Sequence, residues 1–356
     1  MRKNKKSLIL ILVVLISVLI GKTSEASELK FSVEPVLPEN QFDKENTYFD
    51  LKVSPNQKQT LKIHMRNETN QEVIVEPVIK PATTNLNGVV EYGVSNNKLD
   101  QTAPYDISTL LKIKEKEVAI PAKKAIDLEL ELHMPKESFD GILAGGITLQ
   151  EKEKEKTKKK ETKKQGLAIE NRYAYVVAVV LRENEKELKP ALELDKVEAS
   201  QVNARNVINA TLKNPEARYL NRLSVESTIT KKGSKEKLYT SKKENMQMAP
   251  NSSFAYPVSL NGERLESGNY TLNMMAKSGD KSWKFTKDFE IGSKEAKELN
   301  KKDVTIEEEP SLWLYLIVSV LEALVIGLLF TVFLMKKKKK KRKSKKKKSK
   351  KKTKKK

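Results

Sequence analysis

The residues able to do chemistry are few and poorly spaced for it. Histidine occurs twice, at His64 and His133, each inside a run of alternating apolar and polar residues. A metal ion or a general base needs further ligands or an orienting carboxylate beside it, and no such set stands near either histidine. Both are expected on the polar face of a strand. The chain has no cysteine, which excludes a thiol nucleophile, a Cys-ligated metal and any disulfide. Gly-x-Ser-x-Gly and phosphate-loop patterns are absent. Carboxylates are scattered, so no acid–base pair stands out. The Gly145-Gly146 pair signals a bulge or a close backbone approach. These residues describe no enzyme, no cofactor and no metal centre, which leaves binding through faces, loops or edge strands.

The elements that would carry such surfaces read as strands. Phe49, Leu51 and Val53 alternate with polar residues; so do Leu61, Ile63 and Met65, and then Ile126, Leu128, Leu130, Leu132 and Met134. Period-two alternation turns one face to a core and the other to water. Turn residues separate the runs, at Ser54-Pro55-Asn56, Asn85-Leu86-Asn87-Gly88 and Phe139-Asp140-Gly141. A short helical turn is expected near Tyr105 to Leu111. The second half repeats the pattern over Val202–Leu212, Leu223–Ile229, Phe254–Leu260, Tyr270–Met274 and Trp283–Phe289, with Trp283 and Phe285 facing the core. The fold class expected is all-β: two tandem immunoglobulin-like β-sandwich domains, over 29–150 and 165–293. Between them 12 of the 14 residues from Glu151 to Lys164 are charged, a solvated linker or loop. The Val-rich strand Tyr173–Leu181 either opens the second domain or pairs back on Ile142–Gln150. Four Asn-x-Ser/Thr sequons, at Asn67, Asn209, Asn251 and Asn269, are read as turn and strand residues.

The ends place these domains. Leu312–Met335 is a run of 24 residues with one charge, Glu322, long enough to cross a bilayer as a helix. Lys336–Lys356 follows with 17 Lys and one Arg among 21 residues, which marks the cytoplasmic side. Trp313 and Tyr315 lie at the opposite interface. Glu322 is read as tolerated by snorkelling or neutralisation rather than as a contact with another helix. A basic start, the apolar Leu8–Ile20 and Ser24-Glu25-Ala26 form a secretion signal over 1–26. The expected protein is therefore single-pass, with its N-terminus outside and its C-terminus inside. Residues 294–311 form a stalk. Of the formal charge of +22, the tail supplies +18 and residues 1–26 supply +4, so the exported body is balanced and offers no basic surface for nucleic acid. The tail itself is expected either to lie near anionic lipid, where each Lys contributes up to ~1 kcal/mol, or to serve only as a stop-transfer signal that fixes topology, and the two are compatible.

Several segments carry a resemblance to the WxL-interacting protein family of Gram-positive bacteria. They are Phe31-Ser-Val-Glu-Pro-Val-Leu-Pro-Glu-Asn-Gln41, Tyr48-Phe-Asp-Leu51, Pro81-Ala-Thr-Thr-Asn-Leu-Asn-Gly88 and Gly141-Ile-Leu-Ala-Gly-Gly-Ile147. Asn171-Arg-Tyr-Ala-Tyr175, Met248-Ala-Pro-Asn-Ser252 and Gly268-Asn-Tyr270 follow in the same order. The long charged insertion departs from the pattern and obscures the domain boundary. The resemblance implies a first domain that binds peptidoglycan, a second that binds host components, and secreted WxL-domain surface proteins as partners. Polar positions in the matching loops, Asn40, Gln41, Thr84 and Asn85, are the candidate ligand contacts, with turn formation as their structural alternative. The alternative function is a surface adhesin that binds host matrix proteins directly. A secreted folding factor or glycan hydrolase is disfavoured by the missing catalytic set.

Overall fold

The computed structural model describes residues 30–153, 173–306 and 312–352. The signal segment 1–26, most of the charged linker (154–164), residues 307–311 of the stalk and the end of the tail lie outside the described residues. The described residues up to Lys302 form one compact unit, and those from Asp303 onward form another.

The described residues up to Arg182 form eleven strands: β1 (Phe31–Val36), β2 (Phe49–Lys52), β3 (Lys58–Asn67), β4 (Val73–Pro81), β5 (Thr83–Thr84), β6 (Val90–Glu91), β7 (Leu111–Ile113), β8 (Val118–Ile120), β9 (Ala125–His133), β10 (Leu143–Glu151) and β11 (Ala174–Arg182), of which β5 and β6 pair with each other in a separate hairpin. A four-stranded sheet, β1-β3-β9-β7, faces a five-stranded one, β2-β11-β10-β4-β8. The expected alternation sets the packing of β3, where Leu61, Ile63 and Met65 are buried between the more exposed Lys62, His64 and Arg66. Phe49, Leu51, Leu130 and Ile147 join them in one core. The predicted turn near Tyr105 is the short helix α1 (Ile107–Leu110), capped by Asp106, whose carboxylate accepts from the Ser108 N–H at 2.8 Å.

Strand β11 resolves the choice left open by the sequence. It pairs antiparallel with β10, Gly146 opposite Ala178, and parallel with β2. It therefore completes the first sandwich, because its Val177, Val179 and Leu181 have their apolar partners there.

The second sandwich holds β12 (Glu193–Val202), β13 (Arg205–Asn214), β14 (Leu220–Lys231), β15 (Tyr239–Met248), β16 (Ser252–Ser259), β17 (Gly268–Ser278) and β18 (Lys281–Ile291). Sheets β12-β13-β16 and β15-β14-β17-β18 enclose a core around Tyr256, Leu212, Leu223 and Leu272. Trp283 and Phe285 pack against it half-buried. Residues 294–302, expected in a stalk, are instead helix α2 (Ser293–Lys302), which buries Ala296. Asn300 fixes this helix to the sandwich: its Oδ1 accepts from Leu265 N and Asn206 Nδ2, both at 2.8 Å, and its Nδ2 donates to the Leu265 carbonyl at 2.9 Å. One buried alanine and a specific amide outweigh the charged composition that suggests a free spacer.

In the other unit, α3 (Leu312–Lys352) is a continuous helix. Its segment Tyr315–Lys338 is long and apolar enough to cross a membrane.

Candidate functional site

The four candidate residues fall into two groups, and the structure does not bring the groups together. Asn40 and Gln41 precede β2. Asn40 pairs reciprocally with Gln59, at 2.8 and 3.1 Å, and donates to the Lys52 carbonyl. Gln41 is buried and donates to the carbonyls of Tyr48 (2.8 Å) and Asp43 (3.1 Å), while its Oε1 accepts from Asp50 N. Both side chains shape the 38–50 loop.

Thr84 and Asn85 belong to a clasp between the sandwiches. Asn85 closes the turn of the β5–β6 hairpin: its Oδ1 accepts from Asn87 N and Val89 N, and its Nδ2 donates to Glu91. Gly88, at φ +71, lets this turn reach β15, since a Cβ there would meet the Met246 side chain at 2.5 Å. The Gly88 carbonyl accepts from Gln247 N at 2.7 Å. Thr84 is fully buried, with its hydroxyl 2.7 Å from that of Ser252 and accepting from Ala249 N at 3.0 Å. Ser252 donates its one hydroxyl proton to the Ala249 carbonyl (2.8 Å), so the Thr84 hydroxyl is the donor to Ser252.

The seam continues on either side of this point. Asp100 pairs with Lys213 at 3.1 Å, and Asn251 donates to Thr102 and to the Pro215 carbonyl. The Tyr92 and Tyr219 hydroxyls lie 3.0 Å apart. Burial pushes both phenols up, Tyr219 well above the ordinary value, so they stay neutral. Gly141, at φ +84, approaches so closely that a Cβ would lie 2.3 Å from the Ala217 carbonyl.

The Gly145-Gly146 pair serves close approach from both faces of β10. A Cβ on Gly145 would strike Ile107 of α1 at 2.4 Å, and one on Gly146 would lie 2.2 Å from the Tyr92 carbonyl. This is why β10 is buried on both sides, and why Tyr92 can reach Tyr219.

Below the seam a cleft of about 290 Å³ opens between the sandwiches. Phe42, Ile142 and Ala217 give it apolar walls, and Arg182, Arg218 and Asn221 give it polar ones. Arg182 donates to Asp50 at 2.6 Å and lies over the Phe42 ring, 4.1 Å from its centroid. Arg218 donates to the Leu188 carbonyl, and its Nε is buried with no acceptor. Neither arginine carries a sequence motif. The available signal is scarcity, because the chain has 60 Lys and nine Arg, and only the planar guanidinium suits a buried fork-shaped contact.

Each histidine lies beside a single carboxylate. His64 pairs with its cross-strand neighbour Asp127 at 2.9 Å, half-exposed, and His133 lies 4.0 Å from Glu131. Among the described residues no group of three His, Asp or Glu could hold a metal ion.

Residues 31–151 match the family described as WxL Interacting Protein, peptidoglycan binding domain. Residues 164–301 match the family described as WxL Interacting Protein, host binding domain. Both are families of binding domains. No curated protein matches the sequence. Among solved structures, similarity is found to the YadV chaperone, 12% identical over 74% of this chain and 100% of that one, TM-score 0.28. It is also found to a CsuC–CsuE chaperone–tip adhesion subunit complex from Acinetobacter baumannii, 10% identical over 72% and 98%, TM-score 0.30. Similarities of this size carry no argument about function.

Proposed function

The chain belongs to the WxL Interacting Protein family, and from this premise we propose that it is a membrane-anchored scaffold tying a secreted WxL-domain protein to peptidoglycan. It is a surface protein with a peptidoglycan-binding and a host-binding domain in tandem. The observation that carries the anchoring is the order of parts: two binding domains, then the apolar segment Tyr315–Lys338, then a run of lysines. Lysines beside a span stay in the cytoplasm, so the sandwiches face the wall. The tail rests against anionic lipid. Anchoring raises the effective concentration of each sandwich at the wall, which converts a weak contact into a persistent one.

The test is sedimentation of the compact unit, residues 30–302, with purified peptidoglycan, together with a pull-down from the bacterium. Sedimentation and recovery of a WxL-domain protein support the scaffold. A fragment ending at 150 is the wrong probe, because β2 pairs with β11 and would lose its partner strand. The host binding match favours a second reading, an adhesin for host matrix proteins. Recovery of host matrix with no WxL-domain protein selects it.

A further inference from the structure

Around the inter-sandwich cleft three basic residues are paired, and among the described residues two lining charges have no ion-pair partner, Arg218 at its wall and Glu187 at its rim. Arg182 is neutralised by Asp50 at 2.6 Å, Lys52 by Glu185 at 2.9 Å, and Lys186 by Asp140. Glu187 stands exposed at the rim. Arg218, partly buried, offers five N–H groups and meets one acceptor, the Leu188 carbonyl, with no carboxylate in ion-pair range among the described residues. A desolvated cation without a counter-ion is costly, and a planar carboxylate meets a guanidinium in two parallel hydrogen bonds. The cavity, about 290 Å³, lies at the small end of ligand sites, and Phe42, Ile142 and Ala217 line it beside the charge. That combination suits a short peptide with methyl side chains and a free carboxylate better than a glycan strand.

We propose that this cleft binds the carboxylate terminus of a short alanine-containing peptide, the chemistry carried by peptidoglycan stem peptides, with Arg218 as the anion partner. The inference rests on the wall-binding reading and deepens it. Phe42 and Ile142 come from the peptidoglycan-binding match, whereas Arg218 and Asn221 come from the host-binding match. The site is therefore incomplete in either half alone.

Calorimetric titration of the full-length chain in detergent tests it. The probes are N-acetyl-D-alanyl-D-alanine, its C-terminal amide, and uncharged diacetylchitobiose. The acid binds, the amide binds about tenfold more weakly or worse, and the disaccharide does not bind. Arg218→Gln lowers affinity for the acid about tenfold. Asn221→Asp, exposed at the rim, adds a carboxylate without changing the side chain's shape. It weakens the acid severalfold with an unchanged melting temperature, and so serves as the reading if Arg218→Gln fails to fold. Equal binding of acid and amide, Arg218-dependent binding of the disaccharide, no response to Asn221→Asp, or no binding of the acid up to about 10 mM would each overturn the proposal. Sedimentation with purified peptidoglycan separates the two readings. A wild-type chain that sediments but ignores the acid sinks the cleft alone, whereas one that does not sediment sinks the wall-binding function.

Discussion

Replacing Thr84 by Val tests whether the most deeply buried of the candidate ligand residues is a clasp. The change is nearly isosteric and removes one hydroxyl. In the native seam that hydroxyl donates to Ser252 at 2.7 Å and accepts from Ala249 N at 3.0 Å, where Ala249 is fully buried. After substitution the Ala249 N–H has no acceptor, a cost of about 1–3 kcal/mol. Ser252 keeps its bond to the Ala249 carbonyl, so its loss is smaller. The expected destabilisation is about 2 kcal/mol. With a urea m-value of about 3 kcal/mol/M for a unit of this size, the midpoint falls by roughly 0.7 M. Urea unfolding of residues 30–302 followed by tryptophan fluorescence measures it, since Trp283 lies against the second core. Combining Thr84→Val with Ser252→Ala should show about 1 kcal/mol of coupling, as expected for two members of one hydrogen-bond network. Peptidoglycan sedimentation of the folded variant should be unchanged. A variant as stable as the parent that no longer sediments would refute the clasp and make Thr84 a ligand contact.

Three further outcomes follow from the same geometry. Gly146→Ala forces the Tyr92 backbone away from β10, costing about 1–3 kcal/mol of overpacking. It should also break the Tyr92–Tyr219 contact, read as a lower melting temperature and a lowered Tyr219 pKa in ultraviolet titration. Asn300→Ala removes three hydrogen bonds that dock α2 and should cost about 2 kcal/mol, seen as faster amide exchange over 293–302. Asp100 gives a pH test. Burial pushes its carboxyl up, but bonds from the Thr102 backbone and hydroxyl and from Lys213 outweigh this and hold it below the ordinary value. A depressed folded pKa contributes stability above the unfolded value, about 3.9, that is lost as pH falls through the folded one. The melting temperature should therefore drop below about pH 4 more steeply in the parent than in Asp100→Asn.

The strands with strong alternation were legible because burial imposes period two, as at Leu61-Ile63-Met65 and Leu128-Leu130-Leu132. In the second sandwich two strands were not. β12 and β15 lie at sheet edges, and runs such as Ser241-Lys242-Lys243-Glu244-Asn245 bury too little to show a period. The reading of Gly145-Gly146 as a site of close approach held, but the approaching groups, Ile107 and Tyr92, are distant in sequence and could not be named. Thr84 and Asn85 carried the signal of a specific loop, and the hydrogen bonds they make place them in the seam between the sandwiches. Arg218 left no trace, since a counter-ion's absence is a property of the folded neighbourhood.

The placement of β11 bears on how such proteins could recombine. The family boundary at residue 164 passes between two strands of one sheet, Gly146 on one side facing Ala178 on the other. A chimera joined there would import its donor's strand into the recipient's first core, where Val177, Val179 and Leu181 must fit foreign neighbours. Exchange of host-binding halves is thus restricted to donors whose strand matches, unless the crossover falls beyond Arg182.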